Sequence, residues 1–450
     1  MSSSQPQNRL RVAVIGGGMA GLVLTLFLQK HSPDVQVDIY ESAQALSEVG
    51  AGIAMWPRVW EIVVQLGFEE ELNEIASGSA GEKPSFTYYK GDQPEMQVAF
   101  PTKYLARTFH RSQLQTLFAK HIQNVDQVIH FGKRLSDYVA PASGTGEIIL
   151  NFRDGTSATC DVVLGSDGIR SAVRHTMYED MAKAASDEKA AAELRQVSVP
   201  IWSGNIVYRG LVPVEGLSED MKADVVTWNR AFLGKNQHIV CYPIAQNKFI
   251  NLASFVFTPE GEGTQYDGPW VSHVSAEAVV EKFGGWDPLI QTLMKGMCDP
   301  LAWAVNRLKK LPTFSSGRVA LLGDAAHAMT PFQASGLGQA IEDGFVLASI
   351  LSQTNVTVSN VASALKIYDK IRRPFAQNIQ RLSDANGQCQ HLRQGGWEDV
   401  TAEESLRGGF AQDRFDGVSE LLASHMKWAQ ESSVMDDRDE ALRMAKELTA

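Results

Sequence analysis

The hydrophobic pattern at the start of the chain predicts a strand, a turn, a helix and a second strand. Arg11–Ile15 is a short β-branched run, which is typical of a buried parallel strand. The glycine-rich stretch Gly16–Gly21 follows at once, and Leu22–Lys30 has apolar residues at helical spacing. Apolar and polar residues alternate over Val35–Ile39, so a second strand is expected to end at Glu41. This order of elements predicts a βαβ unit.

The middle of the chain predicts a different architecture. Met181–Leu194 predicts a surface helix or a mobile insertion, and residues 274–297 have a helical pattern. Between them, short polar turns separate four β-rich runs, which predict a mostly antiparallel sheet. These runs are Asn205–Val214, Asp224–Phe232, Gln237–Ile244 and Lys248–Phe257.

The parallel-strand pattern returns in the last third of the chain. Arg318–Leu322 predicts a strand that ends in Gly323-Asp324, and helical patterns follow at Glu342–Leu351 and Ala362–Cys389. The chain therefore predicts an α/β fold, in which a β-sheet domain interrupts a nucleotide-binding domain and helices close the C-terminus.

Composition narrows the classes of function. The 450 residues are 44% hydrophobic and 21% charged, which is ordinary for a globular protein. A net charge of −11 disfavours nucleic acid as a partner, because both would be negatively charged. Four cysteines without a C-x-x-C pair predict neither a metal site nor disulfides. Since no signal peptide or spanning run is visible, we expect a cytoplasmic protein that is not integral to a membrane.

The glycine-rich stretch has the spacing of a dinucleotide-binding turn. Gly16 lets the chain turn off the strand, Gly18 lets the backbone approach a pyrophosphate, and Gly21 packs the helix against the strand. The helix N-terminus offers N–H groups to phosphates, and Glu41 can accept hydrogen bonds from ribose hydroxyls. NAD and FAD fit this motif equally well, and a glycine turn without a ligand is the competing interpretation.

Two later segments separate these alternatives. Asp161–Arg174 reads DVVLGSDGIRSAVR, and Arg318–Asp343 reads RVALLGDAAHAMTPFQASGLGQAIED. With the glycine motif, in this order and spacing, the sequence resembles the single-component flavoprotein aromatic hydroxylases, the group of p-hydroxybenzoate and salicylate hydroxylases. The resemblance covers most of residues 10–390. It implies FAD as the cofactor, NADH or NADPH as the electron donor, and O2 with a small aromatic molecule as substrates.

The resemblance also implies a division into domains. A Rossmann-like FAD-binding domain would hold an inserted mixed or antiparallel β-sheet substrate domain, as in p-hydroxybenzoate hydroxylase, and C-terminal helices would follow. A monomer or a homodimer is expected. The implied boundaries are 8–80, 101–180 and 310–360 for the FAD-binding domain, 81–100 and 195–309 for the substrate domain, and 361–450 for the C-terminal helical region.

Cofactor-binding residues follow from the same resemblance. Glu41 would bind the adenosine ribose, and Arg111 in FHRSQL would contact FAD near the pyrophosphate. Asp167 is associated in this family with both FAD and the nicotinamide donor, although a purely structural turn is the alternative for it. Asp324 would hydrogen-bond the ribityl chain.

Two glycine-containing segments would lie along the flavin ring system. The first is Gly50–Ala54, in which Gly52 and Ala54 are the assigned residues. In the second segment, the backbone would face the isoalloxazine, and the dipole of the helix that follows would stabilise negative charge at N1 and O2. The assigned residues there are Gly336, Leu337 and Gly338.

Catalytic residues are implied by two β-rich segments. Tyr208–Leu211 (YRGL) and His238–Pro243 (HIVCYP) resemble two strands of fungal salicylate-hydroxylase-like enzymes. The resemblance implies that Arg209 stabilises a phenolate or carboxylate and that Tyr242 hydrogen-bonds the phenol oxygen. An ion-paired strand residue is the alternative for Arg209. Pro331 would place its carbonyl near the substrate hydroxyl.

The sequence departs from the family at two places. Salicylate hydroxylases commonly carry histidine, a candidate base, where this chain has Phe332. This leaves the acid/base role to Tyr242, His238 or water. Trp56 and Arg58 replace the usual polar residues after the first flavin segment, where Trp56 could form a pocket wall and Arg58 could meet an acidic group.

Taken together, the resemblance implies an FAD-dependent monooxygenase that hydroxylates a small phenol or hydroxybenzoate through a flavin C4a-hydroperoxide. Where the attacked carbon carries a carboxylate, as in salicylate-like or 4-hydroxybenzoate-like acids, CO2 would be lost. Two alternatives stay open. One is a flavin epoxidase or dearomatising hydroxylase of secondary metabolism, and the other is a non-catalytic FAD-binding sensor or scaffold.

Overall fold

The computed structural model describes residues 8–46, 52–76, 86–102, 106–141, 144, 146–225 and 229–449. The strands are β1 (Leu10–Ile15), β2 (Val35–Tyr40), β3 (Gly52–Met55), β4 (Phe86–Lys90), β5 (Gln97–Thr102), β6 (Arg107–His110), β7 (Ile129–His130), β8 (Leu135–Val139), β9 (Ile148–Phe152), β10 (Ser157–Cys160), β11 (Val162–Gly165), β12 (Ile201–Pro213), β13 (Arg230–Gly234), β14 (Gln237–Ile244), β15 (Phe249–Glu262), β16 (Val271–His273), β17 (Cys298–Arg307), β18 (Ser315–Ser316) and β19 (Val319–Leu321).

The helices alternate with these strands and then fill the C-terminal part. They are α1 (Met19–His31), α2 (Pro57–Leu66), α3 (Glu69–Ile75), α4 (Arg111–Lys120), α5 (Val125–Val128), α6 (Ala172–Lys183), α7 (Glu188–Val197), α8 (Glu219–Val225), α9 (Ala276–Lys282), α10 (Pro288–Lys295), α11 (Asp324–His327), α12 (Gly336–Leu351), α13 (Val361–Gln390), α14 (Ala402–Arg407), α15 (Asp416–His425), α16 (Trp428–Glu431) and α17 (Val434–Ala445).

A six-stranded sheet, in the order β18-β19-β11-β1-β2-β7, forms the centre of the larger core. The pairing is parallel except between β18 and β19. Val14 of β1 lies beside Leu164 on one side and Ile39 on the other, and all three are buried. Parallel strands end at one edge of a sheet, so the segments that follow β1, β2, β11 and β19 meet there.

An eight-stranded sheet, in the order β16-β17-β12-β15-β14-β13-β4-β5, forms the second body of the fold. Its pairing is antiparallel except between β13 and β4. Helices α9 and α10 pack on one face, where Phe232 and Trp286 are buried together. The opposite face of β12, β14 and β15 turns toward the ends of the parallel strands, because residues of both line one cavity.

Helix α12 is fixed against α1 by a close contact between the two backbones. A Cβ atom at Gly344 would lie only 2.5 Å from the Ala20 carbonyl oxygen, so the contact requires glycine. This contact places the N-terminus of α12 at the edge where the parallel strands end. Within the described ranges, no helix is both long and apolar enough to cross a membrane.

Three boundaries expected from the sequence were wrong in detail. Asp224 lies in α8 rather than in a strand, because β13 begins only at Arg230. Residues 274–297 form two helices instead of one, and the break between them contains Gly285 at φ +82°. The segment Met181–Leu194 is shared between α6 and α7, which are separated by a short turn.

Candidate active site

A cavity of about 1440 Å³ opens where β1, β2, β11 and β19 end. It exceeds the roughly 300–1,000 Å³ of a typical small-molecule pocket, so a dinucleotide and a second ligand fit together. Gly21 and Gly338 do not line this cavity, Gly50 and Ala51 fall outside the described residues, and only the backbone of Gly52, in β3, is described. The expected residues that line it are Gly16, Gly18, Glu41, Ala54, Arg111, Asp167, Arg209, Tyr242, Asp324, Pro331, Gly336 and Leu337.

The three glycines of the first turn differ in the reason why glycine is needed at each position. Gly16 has φ +105°, and a Cβ atom there would lie 2.4 Å from the Ser166 carbonyl oxygen, so no other residue fits. A Cβ atom at Gly21 would lie 2.7 Å from Val14, which agrees with a packing role. At Gly18 the nearest atoms of the described residues would be 3.8 Å away. The protein itself therefore does not require glycine at this position, whereas a closely approaching ligand would.

Glu41 is held in place at the edge of the cavity. Its carboxylate accepts N–H hydrogen bonds from Gly17 and Ala43, both at 2.7 Å. Gln115, which was not predicted as a site residue from the sequence, donates its side-chain amide to the Gly17 carbonyl at 3.1 Å. Gln115 lies four residues after Arg111, and thus on the same helix face, which was the available signal.

Asp167 combines a structural contact with an unused acceptor. Its Oδ2 accepts N–H hydrogen bonds from Ala172 at 2.7 Å and from Val173 at 3.1 Å, which caps the start of α6. Its Oδ1 is buried, and no described residue hydrogen-bonds it. Burial raises the pKa of Asp167, although hydrogen bonds to the carboxylate oppose the shift. One oxygen thus fits the structural interpretation, and the other has no hydrogen-bond partner among the described residues.

Asp324 begins the short helix α11 beside the first turn of α12. The preceding Gly323 has φ +57°, and its N–H donates to Asp343 Oδ2 at 2.9 Å. Asp324 Oδ1 would lie 3.9 Å from a Cβ atom on Gly336, so the two segments adjoin. A Cβ atom on Gly338 would instead meet Val59 at 2.9 Å, and packing against α2 explains this glycine.

Two side chains from the first half of the chain border the same region. Arg111 is the first residue of α4, and burial lowers the pKa of its guanidinium, with Asp324 opposing the shift and Arg209 adding to it. The three charges are therefore close enough to influence one another. Trp56 lines the cavity and donates its indole N–H to the Gln333 carbonyl at 3.2 Å, so it forms part of the wall.

The eight-stranded sheet presents Arg209 and Tyr242 to the cavity. His238, Val240 and Tyr242 alternate along β14 and share one face, as strand geometry requires. No carboxylate in the described part of the chain forms an ion pair with Arg209. Burial raises the pKa of the Tyr242 phenol, and the Arg209 charge only partly opposes this shift. Tyr242 is therefore a neutral hydroxyl near a fixed positive charge, and Pro331 lines the same cavity.

His238 lies in an aromatic cluster with a second histidine, His391 from the end of α13. The rings of His238 and Phe255 are stacked, with centroids 4.4 Å apart, and His391 lies 4.7 Å from His238. Phe332 contacts both histidines edge-on, and Phe257 stacks on His391. Burial lowers the pKa of His391 to about 3 and the pKa of His238 well below its usual value. Both imidazoles are therefore neutral.

The lowered pKa of His391 predicts a loss of stability in acid. Unfolded histidine titrates near about 6.5, so between this value and about 3 the unfolded chain binds a proton that the folded chain lacks. The free energy of unfolding therefore decreases as the pH is lowered through this range. When the pH is lowered from 7 to 5, the free energy of unfolding of His391→Gln is expected to decrease by about 2 kcal/mol less than that of wild type. Urea unfolding at the two pH values measures both decreases. Equal losses in both proteins would contradict this, and His273→Gln, an exposed site, is the control.

A buried charge network lies beneath α12. Arg372 donates to Glu342 at 2.8 Å and to Asp343 at 2.9 Å, and all three side chains are fully buried. Arg58 meets Glu342 at 3.0 Å and also pairs with Asp437 of the C-terminal helix α17, so it does meet acidic groups. Because Asp343 also accepts the N–H of Gly323, the network supports the Gly323-Asp324 turn at the cavity.

These features define a dinucleotide-binding protein of the doubly wound α/β class. The glycine turn, the anchored Glu41 and the N-terminus of α12 line one cavity, and Asp167 keeps a buried acceptor atom there. This donor and acceptor set fits FAD, and the sheet face with Arg209 and Tyr242 provides a separate end for a second ligand.

Comparison with known proteins identifies the family. The FAD binding domain family matches residues 9–203 and 301–383. The chain is 32% identical to a salicylate hydroxylase of Pseudomonas putida over 90% of its own length and 91% of that protein. It is also 32% identical to 6-methylsalicylate 1-monooxygenase of Aspergillus terreus, over 84% of its own length and 82% of that protein. The chain therefore belongs to the family of salicylate hydroxylase-like FAD-dependent monooxygenases.

Solved structures agree with this assignment. A salicylate hydroxylase in complex with substrate has a TM-score of 0.80 and 27% identity, over 97% of this chain and 98% of that chain. The protein is thus an FAD-dependent aromatic monooxygenase with the fold of salicylate hydroxylase. The α/β fold with several sheets and C-terminal helices expected from the sequence is confirmed, and so is FAD as the cofactor.

Proposed function

We propose that this monooxygenase hydroxylates a small phenol or hydroxybenzoate with electrons from NADH or NADPH. The observation that carries the proposal is that Arg209 and a neutral, half-buried Tyr242 lie together on the cavity face of the eight-stranded sheet. A cation and a hydroxyl donor together suit a phenolate or carboxylate on an aromatic ring. One atom of O2 is inserted into the substrate. The other atom is reduced to water by the two electrons that the nicotinamide supplies.

The cofactor would lie along the edge where the parallel strands end. In this proposal Glu41 binds the adenosine ribose, Gly16 and Gly18 receive the pyrophosphate, and Arg111 contacts it from α4. Bound FAD supplies hydride acceptance and oxygen activation, chemistry that protein side chains lack. Residues of α1 and α4 line this end of the cavity.

The flavin ring would lie between the Asp324 turn and the N-terminus of α12. Asp324 hydrogen-bonds the ribityl chain, and Gly336 and Leu337 bring backbone N–H groups of the helix N-terminus to the ring. A helix N-terminus stabilises negative charge, which favours a reduced flavin. Asp167 offers its remaining oxygen to the cofactor or to the nicotinamide donor, and Ala54 lies along the ring.

On the substrate side, each residue has a separate role. Arg209 stabilises the ionised group of the substrate, Tyr242 donates a hydrogen bond to the phenol oxygen, and the Pro331 carbonyl lies near the hydroxyl. His238 is a weak base, because burial lowers its pKa well below the usual value. Tyr242 and water are therefore the better candidates for moving the phenol proton.

Loss of CO2 is a further part of the proposal. Salicylate hydroxylase and 6-methylsalicylate 1-monooxygenase are the names of two relatives, and the second name puts the new oxygen on carbon 1, which carries the carboxylate. Attack at this carbon breaks the bond to the carboxylate, which leaves as CO2 while the ring regains its aromaticity. We also propose that the protein acts in the cytoplasm, where its four free cysteine thiols stay reduced.

The test is NADH and NADPH consumption against a panel of phenols and hydroxybenzoates, with product mass measured for every stimulating compound. A product that gains oxygen and loses CO2 supports decarboxylating hydroxylation, and oxygen gain alone supports simple ring hydroxylation. A product that is no longer aromatic would favour a dearomatising hydroxylase. Oxidation of the donor that no ligand stimulates would contradict the proposal and favour a non-catalytic FAD-binding protein.

Removing the polar groups of the substrate end should separate their roles. Tyr242→Phe is expected to lower kcat about 10- to 1,000-fold, because the phenol oxygen loses its hydrogen bond. Arg209→Ala should raise KM for ionised substrates and leave FAD bound. Steady-state kinetics together with the flavin-to-protein absorbance ratio measure both effects. Wild-type kinetics in either variant would remove that residue from the mechanism.

A further inference from the structure

A short segment, residues 328–335, joins α11 to α12 and forms one wall of the cavity. Every residue from Met329 to Ser335 lines the cavity, and α12 begins directly afterwards at Gly336. In the proposed function this segment connects Pro331, beside the substrate, with the helix N-terminus beside the flavin. Its position therefore affects how the substrate and the flavin are placed relative to each other.

Helix α13 holds this segment through buried polar side chains. Ser383 donates its hydroxyl to the Thr330 carbonyl at 2.6 Å, and Gln380 donates its amide to the Ala328 carbonyl at 2.9 Å. The Thr330 hydroxyl in turn donates to Asp384 at 2.8 Å. Ser383 and Gln380 are three residues apart and share one face of the helix. The segment is thus attached to α13 at two carbonyls and one side chain.

Ser383 and Gln380 act on the segment and not on a ligand. Both side chains are buried, and neither of them lines the cavity. Among the described residues, the Ser383 hydroxyl is the one hydrogen-bond donor to the Thr330 carbonyl, and Thr330 is itself buried. Without this donor a buried carbonyl would lack a partner, which costs free energy unless the segment moves. Loss of the hydroxyl is therefore expected to shift the segment.

We propose that Ser383 and Gln380 are positioning residues for oxygen transfer, because they hold the segment at which the substrate and the flavin meet. The inference rests on the proposed function. Reacting atoms must lie about 3–3.5 Å apart, and a displacement of about 1 Å can cost roughly 100-fold in rate. When oxygen transfer is slow, the nicotinamide donor, a proton and O2 instead give the oxidised donor and H2O2. Each donor molecule that is consumed thus yields either one product molecule or one H2O2.

The experiment measures the product and the H2O2 formed per donor molecule consumed, in flavin-containing enzyme. The compound used is the one of 2-, 3- and 4-hydroxybenzoate that stimulates donor oxidation by wild type most strongly. In Ser383→Ala the product per donor is expected to fall about 3- to 10-fold, with H2O2 making up the difference. A residue that only stabilises the fold would change the amount of holoenzyme and leave this ratio unchanged.

Ser349→Ala is the matched control. Ser349 is also a buried helix serine, but it donates within its own helix, to the Phe345 carbonyl at 2.8 Å. Its removal leaves the segment in place, so this variant should keep the wild-type ratio of product to donor.

A second pair of variants repeats the comparison on α13, and it serves alone if Ser383→Ala loses its flavin. Gln377 is buried like Gln380, but it donates to the Leu311 carbonyl, which lies outside the segment. Gln380→Met should lower the ratio, and Gln377→Met should not. A wild-type ratio in Ser383→Ala or Gln380→Met, or an equal loss in either variant and its control, would overturn the inference and leave the proposed function standing. If none of the three compounds stimulates wild type, the proposed function and the inference are both wrong.

Discussion

Gly18→Ala is expected to release FAD while the apoprotein remains as stable as wild type. A Cβ atom at this position would find its nearest protein neighbours 3.8 Å away, so the substitution creates no clash within the protein. In our proposal the pyrophosphate occupies this space. An extra methyl group in a close contact costs about 1–3 kcal/mol, which corresponds to a roughly 5- to 150-fold weaker FAD affinity.

Two other glycines make this test specific. Gly16→Ala should destabilise the apoprotein as well, because its Cβ atom would lie 2.4 Å from the Ser166 carbonyl oxygen. Gly216→Ala has no neighbour within 4 Å and should change neither property. FAD titration of the three apoproteins and their thermal unfolding give the two quantities. Wild-type FAD affinity in Gly18→Ala would show that the pyrophosphate does not approach this residue.

Arg372→Met is expected to cause the largest loss of stability. Arg372 has no exposed surface, and it forms hydrogen bonds with Glu342, Asp343 and Gln339. Its removal leaves two buried carboxylates short of a partner, and breaking such a pair costs about 3–5 kcal/mol. Burial disfavours the charged form of Asp343, but His327 and Arg372 outweigh it and lower the pKa of this carboxyl, so the variant should also weaken the turn at Gly323.

The neighbouring arginine provides the control. Arg373 forms an ion pair with Asp369 one helical turn away and is partly exposed. Arg373→Met should therefore cost less than about 1 kcal/mol. Urea unfolding gives both free energies, and the flavin-to-protein absorbance ratio reports the effect on the turn. If the two variants lose equal stability, the buried network does not stabilise α12.

The β1-α1-β2 unit, the strands β12, β14, β15 and β19 and the glycine turn could be predicted because each depends on local properties. A strand alternates with period two, a helix with period 3.6, and Gly16 needs a positive φ that its neighbours impose. The prediction failed at Asp224, which belongs to α8 although its apolar neighbours suggested a strand. Residues of similar pattern can form either element, and only packing decides between them.

The candidate site was predicted in part. The sequence order placed Gly16, Glu41 and Asp324 after parallel strands, and such strands end at a shared edge, so their meeting at one cavity could be expected. The family resemblance assigned the backbone of Gly338 to the flavin, which stays a prediction, and the structure adds that its missing side chain leaves room for Val59. A glycine motif does not indicate whether a ligand or a neighbouring helix needs the space.

The sequence by itself determined the class of fold, the family and the chemistry of the cofactor, because these depend on short segments whose conformation is local. The tertiary structure decided which distant side chains meet. His391 lies beside His238, and Arg58 meets Glu342, although both pairs are far apart in the chain. No periodicity encodes such contacts. They arise when separate sheets and helices bury their apolar faces against one another, and the polar groups carried inside must then find partners.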